Sequence, residues 1–362
     1  MERRGQPDHL LFFITMALLV IGLIMVLSAS SYDAILHYDD AFYFFKKQLF
    51  NCLLGLVALI AMMVVKPEVI KELALPGFFI CIVLMLLVLA VGVEVNGAKR
   101  WLGTASIRFA PAEVAKPVTI VFFAYWLANM SKRSLHSLKG YLTTGLLMLI
   151  IPVLIVIEDL GTAITLLGAL FCMLIVAGAK IRHIVGTIIA GGIAVAALII
   201  AKPYRWNRIL AFLDPFADPL NTGYQAVQSL YALGSGWLFG VGLGNSRQKL
   251  LYLPERHTDF IFSIIGEELG FIGALFVIFL FCMFVWRGFH IASNIEDRFK
   301  ALTAFGLTAV VGIQAAINIG VAVGALPVTG ITLPFISYGG TSLIFMLGTV
   351  GFILNMSRYA KK

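Results

Sequence analysis

Long uninterrupted apolar runs, separated by short polar segments, dominate the pattern of this chain. Residues 10–27 and 146–157 contain no charged side chain. A membrane-spanning strand would instead alternate apolar and polar residues over about ten positions. The continuous runs therefore predict helices, and crossing the hydrocarbon core of a membrane takes about 20 mostly apolar residues.

The spacing of the runs predicts an all-α, polytopic membrane protein with about ten transmembrane helices. We expect a single domain over residues 1–362, with a long outer loop between the seventh and eighth spans. The first run is longer than the roughly 7–15 residues of a signal-peptide core, so we expect it to be retained. The spans are placed near residues 10–30, 48–65, 76–93, 111–129, 141–157, 160–178, 184–201, 259–285, 302–323 and 334–356.

The composition agrees with a membrane protein. Hydrophobic residues make up 60% of the chain and charged residues 13%, against about 45–50% and about 25% in average soluble proteins. The four cysteines lie inside apolar runs, which indicates buried thiols and favours neither a disulfide framework nor a metal site. They are Cys52, Cys81, Cys172 and Cys282.

The net charge of +8 could indicate nucleic-acid binding, but the distribution of the charge favours a membrane orientation. The basic residues lie in short segments between the spans. With the long segment 202–258 set aside, the segments on the side of the two termini hold more than twice as many Lys and Arg residues as the others. The positive-inside rule then places both termini in the cytoplasm and the long loop outside.

That long loop exceeds the roughly 12–15 residues beyond which unstructured loops are uncommon and usually functional. Residues 224–233 are amphipathic, and we predict an interfacial helix there. The loop also holds Trp206, Trp237 and the glycines Gly234, Gly236, Gly240, Gly242 and Gly244.

Ionisable residues within spans are costly in lipid and mark candidate functional sites. Glu113 and Lys116 open the fourth span after Pro111, which suits the first turn of a helix. Because they are three residues apart, they share a helix face and can pair. Two interpretations stay open: a structural ion pair at a helix end, or a charged wall of an outward-facing cavity.

Two aspartates lie at outer ends of predicted spans. Asp159 follows Glu158 in a short turn, where it can cap the next helix. Asp259 precedes the aromatic and aliphatic residues that begin the eighth span. A cap is one interpretation of Asp259. The other is a general base, since water on one side and apolar surface on the other can raise the pKa of a carboxylate.

Glu267 and Glu268 lie roughly 12 Å deeper along that span. Adjacent carboxylates cannot both face lipid, so at least one should face the bundle interior with a partner or a proton. The outer basic residues suggest an anionic ligand such as a lipid diphosphate, with ordinary headgroup contact as the alternative. They are Arg100, Lys116, Arg205, Arg208, Arg247, Lys249 and Arg256, and Trp101 and Trp206 flank two of them.

Two motif matches do not hold. Ser246 and Lys249 have the SxxK spacing of penicillin-binding proteins, but the sequence contains neither SDN nor KTG. The loop glycines do not form a nucleotide-binding motif, because no GK[ST] accompanies them. The six histidines show no metal-ligand spacing.

The C-terminal segment 318–342, which runs from Asn318 through Pro327 and Gly330 to Ser337-Tyr-Gly-Gly-Thr-Ser, resembles the signature of the FtsW, RodA and SpoVE family. Segments 96–101, 111–116, 159–162 and 223–271 agree with the same family, so the resemblance covers essentially the whole chain. The chain departs at Ala110 and Ala112, where relatives commonly carry Gln and Ser. Its long loop is closer to the division and sporulation branches than to RodA.

The resemblance implies a glycosyltransferase of the bacterial cytoplasmic membrane that polymerises lipid II and releases undecaprenyl diphosphate. It implies Asp259 as the catalytic aspartate, and it places Glu113 and Lys116 at the Glu–Lys pair of the family's fourth span. A divalent cation, Mg or Mn, is compatible with this chemistry but not required by the sequence. We further expect substrate contacts from Glu113, Lys116, Arg100, Trp101, Lys249, Arg256 and Ser337.

The chain has no transpeptidase serine set, so crosslinking is expected from a partner, which the resemblance implies is a class B penicillin-binding protein. Two other functions stay open. Glu267 and Glu268 would suit a proton-coupled lipid II flippase or other transporter. A non-enzymatic scaffold for a transpeptidase would not need the outer carboxylate of Asp259.

Overall fold

Apolar helices form most of the structure, as the sequence pattern predicts. The computed structural model describes residues 5–95, 98–103, 108–201 and 203–361. The long helices are α1 (His9–Tyr38), α2 (Tyr43–Val64), α3 (Pro67–Val91), α4 (Pro111–Asn129), α6 (Leu138–Val156), α7 (Leu160–Val176), α8 (Ile181–Ile200), α11 (Ile261–Ser293), α12 (Arg298–Ala322) and α13 (Gly340–Ser357). The shorter ones are α5 (Lys132–His136), α9 (Pro203–Leu213) and α10 (Tyr224–Ser235).

Local chemistry fixes where several helices begin. The side chain of Asp8 accepts a hydrogen bond from the Leu11 amide and caps α1, and Asp297 caps α12 in the same way. Asp159 caps α7 by accepting from the Thr162 amide at 3.0 Å, which confirms the predicted cap. Each cap satisfies amide groups that have no partner within their own helix.

The long helices make the chain a multi-pass membrane protein. Within the described residues, seven helices are long and apolar enough to cross a membrane, namely α1, α2, α3, α6, α11, α12 and α13. Adding α4 and the shorter apolar helices α7 and α8 would give the predicted number of spans. That number, and the single domain over residues 1–362, stay predictions.

The described residues nearest the two ends of the chain lie at the same end of the helix bundle. The amide of Gly5 donates to the carbonyl of Arg358 at 2.8 Å. Asp8 pairs with Arg287 near the C-terminal end of α11, with 2.8 Å between Oδ2 and Nη2. An even number of crossings is therefore required.

Helices α12 and α13 lie at the centre of the bundle, and most of their side chains are buried. Helix α13 packs along α2, and α12 packs against α4, α7 and α11. Among the described side chains of helix α8, only His183, near its start, is buried. The bundle is thus built around the two C-terminal helices, with α8 at its periphery.

Helix α11 is broken at Gly270, whose φ is 70° and ψ −171°. Backbone groups of the long loop hydrogen-bond to the backbone groups of α11 on both sides of this break. The carbonyls of Glu267 and Glu268 accept from the amides of Val241 and Gly242 at 3.0 and 3.1 Å. Across the break, the amides of Phe271 and Ile272 donate to loop carbonyls at 2.7 and 3.2 Å. A helix interruption at membrane depth needs such partners, because lipid supplies none.

A small antiparallel sheet was not predicted from the sequence. It joins α3 to α4 and has the strand order β1 (Val93–Val95), β2 (Ala98–Gly103), β3 (Arg108–Phe109). Its strands pair Val93 with Trp101 and Leu102 with Phe109. Strands this short leave little periodic signal in a sequence. The sheet carries Arg100 and Trp101.

The predicted spans agree with the helices except at some ends. The first helix continues to Tyr38, well past the predicted end at residue 30. The last helix begins at Gly340, six residues after the predicted start at 334, because residues 334–339 form turns in which Phe335 has a φ of 65°. The helix predicted in the long loop is present as α10, and its position at the membrane interface stays a prediction.

The contact between the loop and the break predicts a strong effect of Gly240→Ala. Gly240 has a φ of +79°, and an added Cβ would lie 2.1 Å from the Glu268 carbonyl oxygen. We expect a loss of about 2 kcal/mol or more in the free energy of unfolding, measured by thermal melting in detergent. Gly234→Ala is the matched control, because nothing lies within 4 Å of its Cβ position. Equal melting temperatures for both variants would contradict this account.

Candidate active site

Loops and helix ends meet at the end of the bundle opposite the two termini and enclose a cavity of about 610 Å³. One side is apolar and is formed by α3 and α6, with Met85, Val88, Leu89, Leu154 and Ile155. The other side carries the ionisable groups. These are Lys99, Arg100, Glu113, Glu158, Asp159, Arg208, Glu255 and Asp259. Five of these groups are acidic and three are basic, so the cavity combines an apolar wall with a polar wall that carries both signs of charge.

Asp259 lies in the turn before α11 and lines this cavity. It does not cap the helix: α11 begins at Ile261, its N-cap is Phe260, and no side chain caps it. The capping interpretation of Asp259 is therefore wrong. Gly330 lies beside the carboxyl, and a Cβ there would be 3.6 Å from Asp259 Oδ2.

The backbone around Asp259 is held by α12 and by the segment that precedes α13. Asn318 Nδ2 donates to the Asp259 carbonyl at 2.7 Å and to the Ile331 carbonyl at 2.6 Å. Ser337 Oγ donates to the Thr258 carbonyl at 2.5 Å, and the amide of Tyr338 donates to the His257 carbonyl at 2.8 Å. Three consecutive carbonyls, from His257 to Asp259, are thus fixed from outside their own turn.

The surroundings of Asp259 favour its protonated form. Burial raises the pKa of Asp259 to about 7, and the negative charges of Glu255 and Asp159 act in the same direction. The positive charges of Arg100 and Arg208 oppose them. A carboxyl whose pKa lies near neutrality can take up and release a proton at physiological pH.

Two arginines bring positive charge to the same cavity. Arg100, on β2, donates from Nε to the Glu158 carbonyl at 3.0 Å, and that nitrogen lies 3.8 Å from Asp159 Oδ2. Arg208, on α9, donates to the Val328 carbonyl at 3.0 Å. Trp101 also lines the cavity, next to Arg100. The side chain of Arg205, another member of the predicted basic set, lies outside the described part of the chain.

Glu113 and Lys116 form the predicted ion pair, with 3.0 Å between Oε2 and Nζ. Lys116 is 2% exposed and also donates to Gln314 Oε1 at 2.8 Å. Glu113 and Gln314 line the cavity, whereas Lys116 lies behind them. Gln314 Nε2 donates in turn to the Thr332 carbonyl at 3.0 Å. Both interpretations of the pair thus apply in part, since it is a buried ion pair that supports the cavity wall.

Lys249, Arg256 and Ser337 are not among the residues that line the cavity. Lys249 Nζ lies 3.1 Å from Glu268 Oε1, and Arg256 Nη2 lies 2.9 Å from Asp33 Oδ1. The hydroxyl of Ser337 donates a hydrogen bond to the Thr258 carbonyl. Each of these side chains has a charged or polar neighbour within the protein, although the buried Nε of Arg256 has no hydrogen-bond partner. Their positions outside the cavity argue against the expected substrate contacts.

Glu267 and Glu268 face the protein interior, and each is 1% exposed. The carboxylate of Glu267 accepts from Ser246 Oγ at 2.5 Å and from the Arg247 amide at 2.8 Å. That of Glu268 accepts from Ser28 Oγ at 2.7 Å, in addition to Lys249. The predicted need for interior partners is met, and it is met by the long loop and α1.

Sequence reasoning missed the two polar side chains of α12. Gln314 and Asn318 are four residues apart and share a helix face. Gln314 donates to the Thr332 carbonyl, and Asn318 donates to the carbonyls of Ile331 and Asp259. The signal was present, since both are amide side chains within an otherwise apolar run. Within the described residues, no group of three His, Cys, Asp or Glu side chains could hold a metal ion.

The fold and the cavity define a multi-pass membrane protein with an ionisable site at one end of its helix bundle. The chain belongs to the FtsW, RodA and SpoVE family, whose model, described as cell cycle protein, matches residues 8–362. The family resemblance expected from the sequence is confirmed.

Curated relatives cover nearly the full chain. The stage V sporulation protein E of Bacillus subtilis strain 168 is 42% identical over 362 residues, covering 99% of both chains. The probable peptidoglycan glycosyltransferase FtsW of Geobacter sp. strain M18 is 40% identical, covering 99% of this chain and 98% of its own. These identities agree with the expected likeness to the sporulation and division branches.

Solved structures share the fold over nearly the whole chain. A chain from a peptidoglycan synthase complex, described as coordinating polymerization and crosslinking, matches with a TM-score of 0.82 and 30% identity over 97% of this chain and 98% of its own. The rod shape determining protein RodA of Thermus thermophilus matches with a TM-score of 0.73 and 28% identity, over 98% of each chain.

The buried pair in α4 predicts a large effect of Lys116→Met, which leaves the Glu113 charge without its cation. We expect a loss of roughly 3 kcal/mol in the free energy of unfolding, measured by thermal melting in detergent. The double variant Glu113→Gln/Lys116→Met should recover most of that loss, because no uncompensated charge remains. Lys46→Met is the control, since its partner Asp40 is exposed. If Lys116→Met were as stable as the parent, the Glu113–Lys116 pair would not contribute to the free energy of unfolding as described.

Proposed function

We propose that this protein polymerises peptidoglycan glycan strands from lipid II, an undecaprenyl-diphosphate-linked disaccharide peptide, during cell division or sporulation. The names of its relatives support this, because several are called peptidoglycan glycosyltransferase FtsW and one is a sporulation protein. The observation that carries the proposal is the cavity in which Asp259 faces cationic side chains beside an apolar wall. These features match the sugar, the diphosphate and the prenyl chain of such a substrate.

The reaction joins two lipid-linked disaccharides. The 4-hydroxyl oxygen of the acceptor sugar attacks the anomeric carbon of the donor, and its proton passes to the carboxylate of Asp259. The bond between that carbon and the diphosphate oxygen breaks, and undecaprenyl diphosphate leaves with the bonding electrons. Attack opposite the leaving group converts the α-linked donor into a β-linked product.

A single carboxylate is sufficient for this chemistry. A diphosphate leaves without a general acid when cations balance its developing charge, unlike the leaving groups of glycoside hydrolases, which need a second carboxyl group. Arg100, Arg208 and Trp101 all line the cavity. In our proposal the two arginines contact that charge and Trp101 contacts a sugar. Glu113 and Lys116 hold the wall of the cavity through Gln314.

The partner we propose is a class B penicillin-binding protein, since the sequence lacks a transpeptidase serine set. The solved peptidoglycan synthase complex is described as coupling polymerization to crosslinking, which supports such an arrangement. Purified protein incubated with labelled lipid II, alone and with this partner, tests both activity and activation. Absence of glycan chains in both mixtures would refute the polymerase.

A transporter finds less support in the geometry. A proton-coupled transporter would use Glu267 and Glu268 as a proton pathway. Both carboxylates instead accept hydrogen bonds, from the long loop and from α1. A scaffold would not require a cavity with a carboxyl of raised pKa. Neither alternative is favoured by a separate observation.

The proposed orientation places the cavity outside the cytoplasm and both termini inside. A cysteine replacing Leu220, which is 82% exposed in the long loop, should react with an impermeant thiol reagent in intact cells lacking the native cysteines. A cysteine replacing Lys132, at the opposite end of the bundle, should react only after lysis. The reverse pattern would overturn the orientation.

Asp259→Asn provides the most direct test of the general base. The amide keeps the size of the side chain but cannot accept the proton, so polymerisation should fall by about 10²- to 10⁴-fold. Melting temperature and partner binding should be unchanged, because the clamps on this turn hold backbone carbonyls. Near-normal glycan synthesis by a correctly folded Asn variant would exclude Asp259 as the base.

The raised pKa of Asp259 predicts an acidic limb in the pH profile. Only the deprotonated carboxyl can act as the base, so the rate should rise with pH and level off above about 7. At pH 6 it should be about tenfold below the plateau. The residual activity of Asp259→Asn should lack this limb. A limb centred near the ordinary aspartate pKa would show that the cavity does not perturb the carboxyl.

A further inference from the structure

Asp259 belongs to a closed turn, residues 255–260, which we call the aspartate turn. The amides of Thr258 and Phe260 both donate to the Glu255 carbonyl, at 3.2 and 3.1 Å. Glu255 itself has a φ of 50°. Because the turn is closed on itself, a shift of one residue within it is transmitted to the others.

On one side the turn is fixed by Asn318, Ser337 and the amide of Tyr338, as described above. On the other side its only side-chain ion pair among the described residues is that of Arg256 with Asp33 of α1, at 2.9 Å. The Arg256 side chain is 6% exposed and that of Asp33 is 18% exposed. The turn is thus held between α12 and α1.

This pair is poorly explained as a source of stability. Removing two charges from water costs several kcal/mol per ion, and replacing a buried ion pair by apolar residues is often neutral. It is poorly explained as a substrate site too, since neither residue lines the cavity. The attraction between the two charges holds the segments that carry them together, although neither Nε nor Nη2 of Arg256 makes a hydrogen bond within the described residues.

We propose that Asp33 and Arg256 are positioning residues for Asp259, anchoring the aspartate turn to α1 so that the carboxyl faces the bound acceptor hydroxyl. This rests on the proposed glycosyl transfer. In this proposal Arg256 holds the aspartate turn in position, whereas the sequence led us to expect a contact with the substrate. It also assigns a function to Asp33, which lies outside the cavity.

A second contact supports α1 as the anchor. Ser28, also on α1, donates to Glu268, which holds Lys249 of the long loop at 3.1 Å. Ser28 Oγ also accepts from Lys249 Nζ at 3.3 Å, so α1 contacts the long loop at Lys249 and again at Arg256, three residues before Asp259. In a loop of this length, such contacts determine where the last residues lie.

The test measures kcat and KM for labelled lipid II in Asp33→Asn, Arg256→Gln and the exchanged variant Asp33→Arg/Arg256→Asp. A misplacement of about 1 Å can lower a rate by about 10²-fold, so both single variants should lose about 10- to 100-fold in kcat. Their KM should stay within about twofold of the parent, since no substrate contact is lost. The exchanged variant should recover at least about tenfold over either single variant.

The pH profile gives a readout that a purely structural role would not move. The groups that face the carboxyl of Asp259 are Glu255, Asp159, Arg100 and Arg208. A displaced turn alters this environment and exposes the carboxyl. The acidic limb of the Asp33→Asn profile should therefore be centred at a lower pH than that of the parent. Lys46→Gln, which breaks the exposed pair with Asp40, is the matched control and should change neither rate nor limb.

Several outcomes would overturn the inference. Unchanged kcat in folded Asp33→Asn would do so, as would a raised KM confined to Arg256→Gln, which would restore a substrate contact. A folded exchanged variant with no recovery would also do so. If Asp33→Asn does not fold, Arg256→Gln removes the same pair from the other side, and unchanged kcat in that folded variant would be equally contrary. A parent protein with no polymerisation would instead refute the proposed function itself.

Discussion

Backbone groups that leave a helix inside a membrane must find partners within the protein, because lipid offers none. The structure depends on how this constraint is met at two places. At Gly270 the long loop supplies both donors and acceptors to the interrupted helix α11. At the aspartate turn, Asn318, Ser337 and Tyr338 supply donors to three consecutive carbonyls. The aspartate turn lies just before α11 and the break at Gly270 lies within it, so the first turns of α11 are held at both ends.

This arrangement allows a carboxyl to lie at a cavity wall without being neutralised by a dedicated cation. The donors bind the backbone of the aspartate turn and leave the side chain of Asp259 to the cavity. Arg100 and Arg208 are close enough to lower its pKa somewhat, yet burial and the neighbouring acids outweigh them. A carboxyl bound directly to a cation would have a lowered pKa and would be a weaker base.

The membrane-spanning helices follow from the sequence because apolar runs and helix geometry are local properties. The Glu113–Lys116 pair was predictable for the same reason, since its two members lie on one helix face. The partners of Lys249 and Arg256 could not be assigned from the sequence. A sequence shows that a cation is present, but not whether its partner is a substrate or a distant carboxylate such as Glu268 or Asp33. The clamp by Asn318 joins segments far apart in sequence and could be found only from the fold.

A structure of the Asp259→Asn variant with two lipid II molecules bound would test the central claim most directly. The account predicts the acceptor sugar in the cavity, with its 4-hydroxyl about 3 Å from the side chain at position 259. The donor diphosphate should lie against Arg100 and Arg208, and its prenyl chain should follow the apolar face of α3 and α6. Disaccharides bound away from this cavity, or a 4-hydroxyl beyond hydrogen-bonding reach of residue 259, would contradict it.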